Sequence, residues 1–449
     1  MVPLPSPFGQ IPRYPLLYPT PSPIHPLPAL TRLLTSSPAQ PSPRITLYAK
    51  REDQACPLAS SGNKYRKLEY LIPDILSPAP KYGTLAPGPN HGTLIPPLPP
   101  TGTTPPPPAR KPTTLVTEGA LQSNHTIQVA SIANHLSLDS VLLLHQATGG
   151  GYQASTNKDL FSTTGNVELA KLLGADIRIL DTSIVSKSSP TPTSSPPNPN
   201  TENETQDKEK DQVHTIFTTL QTTPNRAPYW IPSGASLHPL GGLGYARCAF
   251  EIAEQEKSLP RSLTHHKSPR FDYIFIACGS GSTLGGLIAG MKLLHREEEH
   301  HHHHHHQPHP HPLPPRKIIG IITSPTLPRA HHEARILNFA RQAATLIGLD
   351  PEHVITEEDI CLDERFAGTA YGELDEATRD MLGEMAREEA VVLDPVYTGK
   401  VVRGMRHWVR EGEVAKDWVA RGGEPGGEVN VLFVHTGGQA ALSAYADVM

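Results

Sequence analysis

The chain of 449 residues holds 39 Lys and Arg against 44 Asp and Glu, a formal net charge of −5, with 37% hydrophobic and 18% charged residues. That balance lacks the basic footprint of a nucleic-acid-binding surface, and the apolar runs are far too short to span a bilayer. The 49 prolines exceed what a compact α/β protein uses and gather in blocks, so part of the length is not core material.

Four cysteines, Cys56, Cys248, Cys278 and Cys361, lie far apart with no CxxC pair, a pattern of neither a zinc site nor a disulfide framework. The N-terminus shows no charged-then-apolar pattern and no Arg-rich amphipathic start, so the expected location is cytoplasmic.

In chain order, the first informative element is Ser61–Leu71, SGNKYRKLEYL. It sets Lys64 between a flexible Ser-Gly-Asn turn and an amphipathic segment that reads as a helix. A lysine so placed can be a covalent anchor, although the NKYRK charges also fit an exposed helix start. Residues 77–112, with PPLPP and PPPP runs, then separate that helix pattern from a β-type TTLVTEG run ended by Gly119. Ser123 and Asn124 follow as N-cap candidates before a helix pattern through Ile127, Ala130, Ile132 and Ala133. Uncapped N–H groups at that start can hold a substrate carboxylate; an ordinary cap is the alternative. Residues 183–212 are polar and charged with no apolar period.

Phe271–Leu294, FDYIFIACGSGSTLGGLIAGMKLL, reads as strand, glycine-serine turn and helix. Successive N–H groups of Gly279 to Thr283 can point into one concavity, with Ser280, Ser282 and Thr283 adding hydroxyls and the helix dipole favouring an anion. The turn is not a Walker loop, and the spacing of Gly279, Gly281 and Gly285 misses the dinucleotide fingerprint by one residue. Residues 296–316 contain seven consecutive histidines, His300–His306. Such a tract has no fixed metal geometry, and no metal is expected. Together with 77–112 and 183–212 it reads as a flexible surface insertion, since none of the three buries enough apolar surface to offset ordering entropy. Finally, Val391–Lys400 (VVLDPVYTGK) and Val429–Ala441 (VNVLFVHTGGQAA) read as β-type runs ending in hydroxyl-bearing turns. Ligands of open α/β sheets collect at the carboxyl ends of strands, so Tyr397, Thr398, Thr436, Gly437 and Gly438 are expected in the crevice of the phosphate loop.

In this order the four segments resemble the pyridoxal-phosphate enzymes of the tryptophan-synthase β-like fold, fold type II, and within them the family of 1-aminocyclopropane-1-carboxylate (ACC) deaminase and D-cysteine desulfhydrase. The likeness starts at FGQIPRYPLLYPTPSPIHPLPAL (Phe8 onward), runs through LYAKRED, GNVELAKLLGADIRI and SLHPLGGLGYA, and ends with HTGGQAALSAY. It implies an α/β protein of two lobes, each an open, twisted, mostly parallel sheet with flanking helices. Residues 1–67 and 235–449 would form the larger, cofactor-binding lobe, and residues 68–234 the smaller one. A homodimer is usual in the family.

The resemblance also implies roles. Lys64 matches the lysine that carries pyridoxal 5′-phosphate as an internal aldimine and then moves the substrate proton. Asn124 matches the residue bonded to the cofactor's phenolic oxygen, and Ser123 the one beside the substrate carboxylate, with His125 next to it. Gly279, Ser280, Gly281, Ser282 and Thr283 match the phosphate cradle, while Tyr371 and Tyr397 match two active-site tyrosines. Thr398 stands where the deaminase branch usually has a glutamate near the pyridine nitrogen, and Thr436 where it usually has a leucine. A hydroxyl cannot protonate that nitrogen as a carboxylic acid does, and His125 also resembles the desulfhydrase branch. The expected function is therefore D-cysteine desulfhydrase, releasing sulfide, pyruvate and ammonia. The alternatives are ACC deaminase, giving 2-oxobutyrate and ammonia, another fold-type-II lyase acting on D-serine or 3-chloro-D-alanine, and a non-catalytic cofactor-binding relative.

Overall fold

The computed structural model describes residues 2–35, 43–87, 94–95, 110–145, 158–180, 212–259, 270–304 and 314–449. Most of the three insertions, 88–93, 96–109, 183–211 and 305–313, lies outside the described residues. The strands are β1 (Ile24–Pro26), β2 (Arg44–Arg51), β3 (Ala86–Pro87), β4 (Leu94–Ile95), β5 (Thr114–Ala120), β6 (Asp139–His145), β7 (Asp176–Leu180), β8 (Pro228–Ile231), β9 (Tyr273–Cys278), β10 (Lys317–Ile322), β11 (Cys361–Asp363) and β12 (Glu428–His435). The helices are α1 (Pro28–Thr35), α2 (Lys64–Ile75), α3 (Asn124–His135), α4 (Lys158–Thr163), α5 (Asn166–Leu172), α6 (212–222), α7 (Leu243–Glu256), α8 (Ser282–His304), α9 (Arg329–Leu346), α10 (Pro351–Val354), α11 (Glu376–Glu389), α12 (Thr398–Arg410) and α13 (Glu413–Ala420).

Two sheets organise the chain. One has the order β1-β2-β12-β9-β10-β11, parallel except for β1, and the other the order β7-β6-β5-β8, parallel throughout. Parallel strands covered on both faces read as continuous apolar runs rather than as alternation. In β12, Val429, Val431, Leu432, Phe433 and Val434 are accordingly all fully buried. Each such side chain contributes about 1.5–3 kcal/mol by leaving water. The chain turns out of β5, β8, β9 and β12 toward one crevice between the sheets, and the residues after those strands line a shared cavity.

Close packing of helices frames that crevice. A Cβ on Gly286 would sit 2.1 Å from the carbonyl oxygen of Gly242, and one on Gly290 2.3 Å from that of Ala246. The GGLIAG run of α8 therefore lets α7 approach along one side. Gly285 serves the same end against α9, with Ala340 N 2.9 Å from its would-be Cβ.

Three expectations are corrected. Val391–Leu393 forms no strand. Val391 and Leu393 are buried, but Pro395 lacks an N–H and the Asp394 side chain takes the next amides, so the segment turns into α12 instead of pairing. Residues from Arg296 onward do not begin a loop, because α8 continues to His304. Arg316, beyond the histidines, is half-buried and paired with Glu256 and Glu298. The start of the proline-rich block is likewise tied down, with Lys81 N and Tyr82 N donating to Asp74 and β3 pairing with β4.

Candidate active site

Lys64 is the first residue of α2, placed by a turn gripped from two sides. Gly62 forms a bridge to Gly437, and a Cβ there would fall 2.8 Å from both Gln128 Nε2 and the Thr436 carbonyl. Gln128 of α3 completes the grip, donating to Ser60 O at 3.0 Å and accepting from Tyr65 N at 3.0 Å. The Lys64 Nζ donates to Asn63 Oδ1 at 2.8 Å, and Asn63 Nδ2 donates to Thr283 Oγ1 at 3.2 Å. One carboxamide thus links the lysine to the glycine-serine loop. Burial pushes the Lys64 pKa down to about 8, against the pull of the Asp394 carboxylate. Its amine is therefore substantially neutral under mildly alkaline conditions, as a base must be.

The loop opposite has the geometry of an anion cradle. Gly281 has φ +94°, open only to glycine at low cost, and a Cβ on Gly279 would meet the Tyr397 ring at 3.2 Å. Gly279, Ser280, Gly281 and Thr283 line the cavity. The first amides of α8 have no intrahelical acceptor. Ser282 does not line the cavity: its hydroxyl accepts from Lys67 Nζ at 2.8 Å and donates to Ser236 Oγ at 3.0 Å. Lys67 is fully buried, its other bond runs to Gly234 O at 2.9 Å, and among the described residues no carboxylate touches it. Burial pushes its pKa well down, and the Lys64 and Arg335 charges push the same way. A buried amine with no counter-ion, beside a loop of free amides, is what a phosphate dianion would satisfy and hold protonated. The residues present therefore fit pyridoxal 5′-phosphate.

Ser123 takes the N-cap position of α3 with extended backbone, yet its hydroxyl makes no capping bond. The helix start keeps its N–H groups free, and the hydroxyl remains available in the cavity it lines. Asn124 is oriented from behind: Asn166 Nδ2 donates to its Oδ1 at 2.8 Å, leaving Nδ2 as the free donor. Asn166 is itself held by Gln122, accepting nothing from Asn124. For His125, Thr117 supplies the tautomer. The single Thr117 hydroxyl proton goes to Ile231 O at 2.7 Å, so His125 Nε2, 2.9 Å from Thr117 Oγ1, carries the hydrogen. Burial and the nearby lysines hold the imidazole neutral.

Tyr397 lines the cavity, and its hydroxyl lies 2.5 Å from that of Tyr371, which stands behind it. Burial pushes Tyr371 up to about 12, keeping the phenol a proton donor. Thr436 faces the cavity, whereas Gly437 and Gly438 shape the turn with φ of +82° and +109°. Thr398, expected in the same crevice, is fully buried and not part of the lining. Its hydroxyl donates to Asp394 Oδ2 at 2.7 Å and accepts from Asp394 N at 2.6 Å.

Ten of the predicted residues thus line one cavity, with Ser282, Tyr371 and Thr398 outside its wall, but sequence reasoning passed over Asn63, Lys67, Gln128 and Asn166. The signal for Lys67 was present, since Lys64 and Lys67 are three apart and share a helix face. For Gln128 and Asn166 the sequence carries none, their partners being 63 to 68 and 42 to 44 residues away.

A lysine with a lowered pKa facing a phosphate-shaped loop, in the cleft between two mostly parallel sheets, is the arrangement of a cofactor-dependent enzyme. The sequence matches the family model of the pyridoxal-phosphate dependent enzymes over residues 18–437, and the chain belongs to that family. It is 32% identical over 437 residues to a probable 1-aminocyclopropane-1-carboxylate deaminase of Schizosaccharomyces pombe, covering 97% of each chain. It is 33% identical over 436 residues to the 1-aminocyclopropane-1-carboxylate deaminase of Burkholderia ambifaria, again covering 97% of both. Its fold is that of a crystallised ACC deaminase homologue, with a TM-score of 0.63 at 24% identity, covering 98% of this chain and 96% of that one.

Proposed function

We propose that the protein is a D-cysteine desulfhydrase, eliminating the β-sulfur of D-cysteine as sulfide and leaving pyruvate and ammonia after hydrolysis. The observation that carries this reading is the character of the cavity wall. Among the described residues that line it there is no carboxylate, and the late turn presents Thr436. The nearby Asp394 spends both oxygens on the start of α12. Pyridoxal phosphate supplies an electron sink for charge developing at the substrate Cα. Without an acid for its ring nitrogen that sink is mild, which suits loss of sulfide better than opening of a cyclopropane.

In this reading Lys64 would hold the cofactor, and its Nζ is the base for the substrate Cα proton. Asn63 Oδ1 accepts from that amine and orients it. The Ser123 hydroxyl and the uncapped amides of α3 hold the substrate carboxylate, which sets the Cα–H bond in the direction of cleavage. Asn124 Nδ2 would orient the cofactor, the cradle and Lys67 would neutralise its phosphate, and the Tyr371–Tyr397 pair offers a proton to the departing sulfur. ACC deaminase is the second reading, favoured by the names of the relatives at 32% and 33% identity. The deciding assay follows sulfide and pyruvate from D-cysteine beside 2-oxobutyrate from ACC, on cofactor-loaded protein with Lys64→Ala as control. Sulfide from D-cysteine, lost in the variant, supports the proposal; 2-oxobutyrate as the main product overturns it.

A further inference from the structure

Lys400 is a buried cation that no step above employs. It lies in the first turn of α12 and is fully buried. The start of a helix is the positive end of its dipole, so an ammonium there is disfavoured twice. Burial pushes its pKa down to about 8; Asp375, Glu373 and Asp394 oppose the shift and Arg403 adds to it. No carboxylate touches it among the described residues. Instead Nζ donates to Ala367 O at 2.6 Å and to Thr323 O at 3.2 Å.

These two carbonyls belong to the turns after adjacent parallel strands. Thr323 directly follows β10, its N–H donates to Cys278 O at 3.2 Å, and its hydroxyl would lie 3.6 Å from a Cβ on Gly279 of the cradle. Ala367 opens the turn that carries Tyr371 between Gly368 and Gly372, both with positive φ. Beyond Ala367 that turn closes on itself, Glu373 accepting from the Thr369 amide and hydroxyl, and Gly372 O accepts from the Tyr445 hydroxyl at 2.7 Å. Tyr397 is the residue immediately before α12, three positions ahead of Lys400. The Lys400–Ala367 bond therefore docks the loop of one tyrosine onto the helix of the other.

We propose that Lys400 is a positioning residue for the tyrosine pair, its buried ammonium tying the Tyr371 turn to the helix that presents Tyr397. A buried ammonium tolerated at a helix start needs such a task, because an apolar side chain of the same length would pack there without the desolvation cost. The inference rests on the role given above to the two phenols, and its first readout needs no substrate.

Hydrogen exchange is compared in cofactor-loaded wild type, Lys400→Met and Lys400→Arg. In Lys400→Met the amides of 364–373 exchange roughly tenfold faster while those of 279–285 hold steady, and Lys400→Arg restores protection. Turnover in Lys400→Met falls by about ten- to a hundredfold in kcat, with KM within about threefold, the signature of displaced proton donors rather than lost binding. Adding Tyr371→Phe to it costs little more, since both changes remove one function. Unchanged exchange in 364–373, or losses that multiply in the double variant, overturns the proposal. Should Lys400→Met not fold, Lys400→Gln, which keeps an N–H donor without the charge, is read by the same exchange criterion. Silence on every amino acid tested refutes the proposed function and leaves exchange to decide the role of Lys400.

Discussion

Replacing Asp394 by Asn tests whether a side chain outside the cavity governs both the fold of the site and the chemistry of Lys64. The carboxylate is fully buried. Its Oδ1 accepts from Val396 N at 2.9 Å and Tyr397 N at 2.7 Å, and its Oδ2 from Thr398 N at 2.9 Å and Thr398 Oγ1 at 2.7 Å. A carboxamide keeps the first pair but turns an NH2 toward the second. The Thr398 hydroxyl can rotate to accept, whereas the Thr398 amide is left facing another donor. One lost charge-assisted bond, and the weakening of the others, amounts to about 2–3 kcal/mol, and Asp394→Ala, losing all four, to about 4–5 kcal/mol. Urea unfolding of the three proteins reads these differences through their midpoints. The same charge raises the Lys64 pKa, so its removal moves the alkaline rise of kcat toward lower pH. A variant within about 0.5 kcal/mol of wild type, or a rise displaced to higher pH, would refute the reasoning.

Three further outcomes are expected. Because Lys64 acts as a base only when neutral, and burial holds its pKa at about 8, kcat climbs with pH through that value and then levels; a rate that falls across this range contradicts the assignment. Arg66→Met removes the guanidinium partner of the buried Glu52 and leaves the buried Glu251 paired with Arg247, and costs about 3–5 kcal/mol in unfolding experiments. Gly281→Ala forces a Cβ onto a residue at φ +94°, 3.3 Å from the Phe339 ring. It therefore weakens cofactor affinity about tenfold by equilibrium dialysis, in keeping with roughly 1–2 kcal/mol of backbone strain.

The parts of the site legible in the sequence are those in which a short stretch carries its own instructions. SGNK followed by an amphipathic run sets a lysine at a helix start, and CGSGST between an apolar strand and an apolar helix makes a cradle, because turn chemistry and periodicity act over a few residues. The same reasoning misread VVLDP as a strand. Its alternation is real, with Val391 and Leu393 buried and Val392 exposed, but strand pairing needs a neighbour's edge and here the Asp394 side chain took the amides.

What the sequence by itself determined about this protein is thus its α/β class, the anchor lysine, the cradle and the residues that close the cleft. Tertiary structure decided which polar atom each of them meets. Thr398 is directed to Asp394 and not into the cavity, Ser282 to Lys67, and Lys64 to Asn63. Gly285, which looks like part of a phosphate motif, packs against α9. The division has a physical cause: backbone conformation is settled by neighbours along the chain, whereas a buried donor is satisfied by whichever acceptor the packing of distant segments brings within about 3 Å.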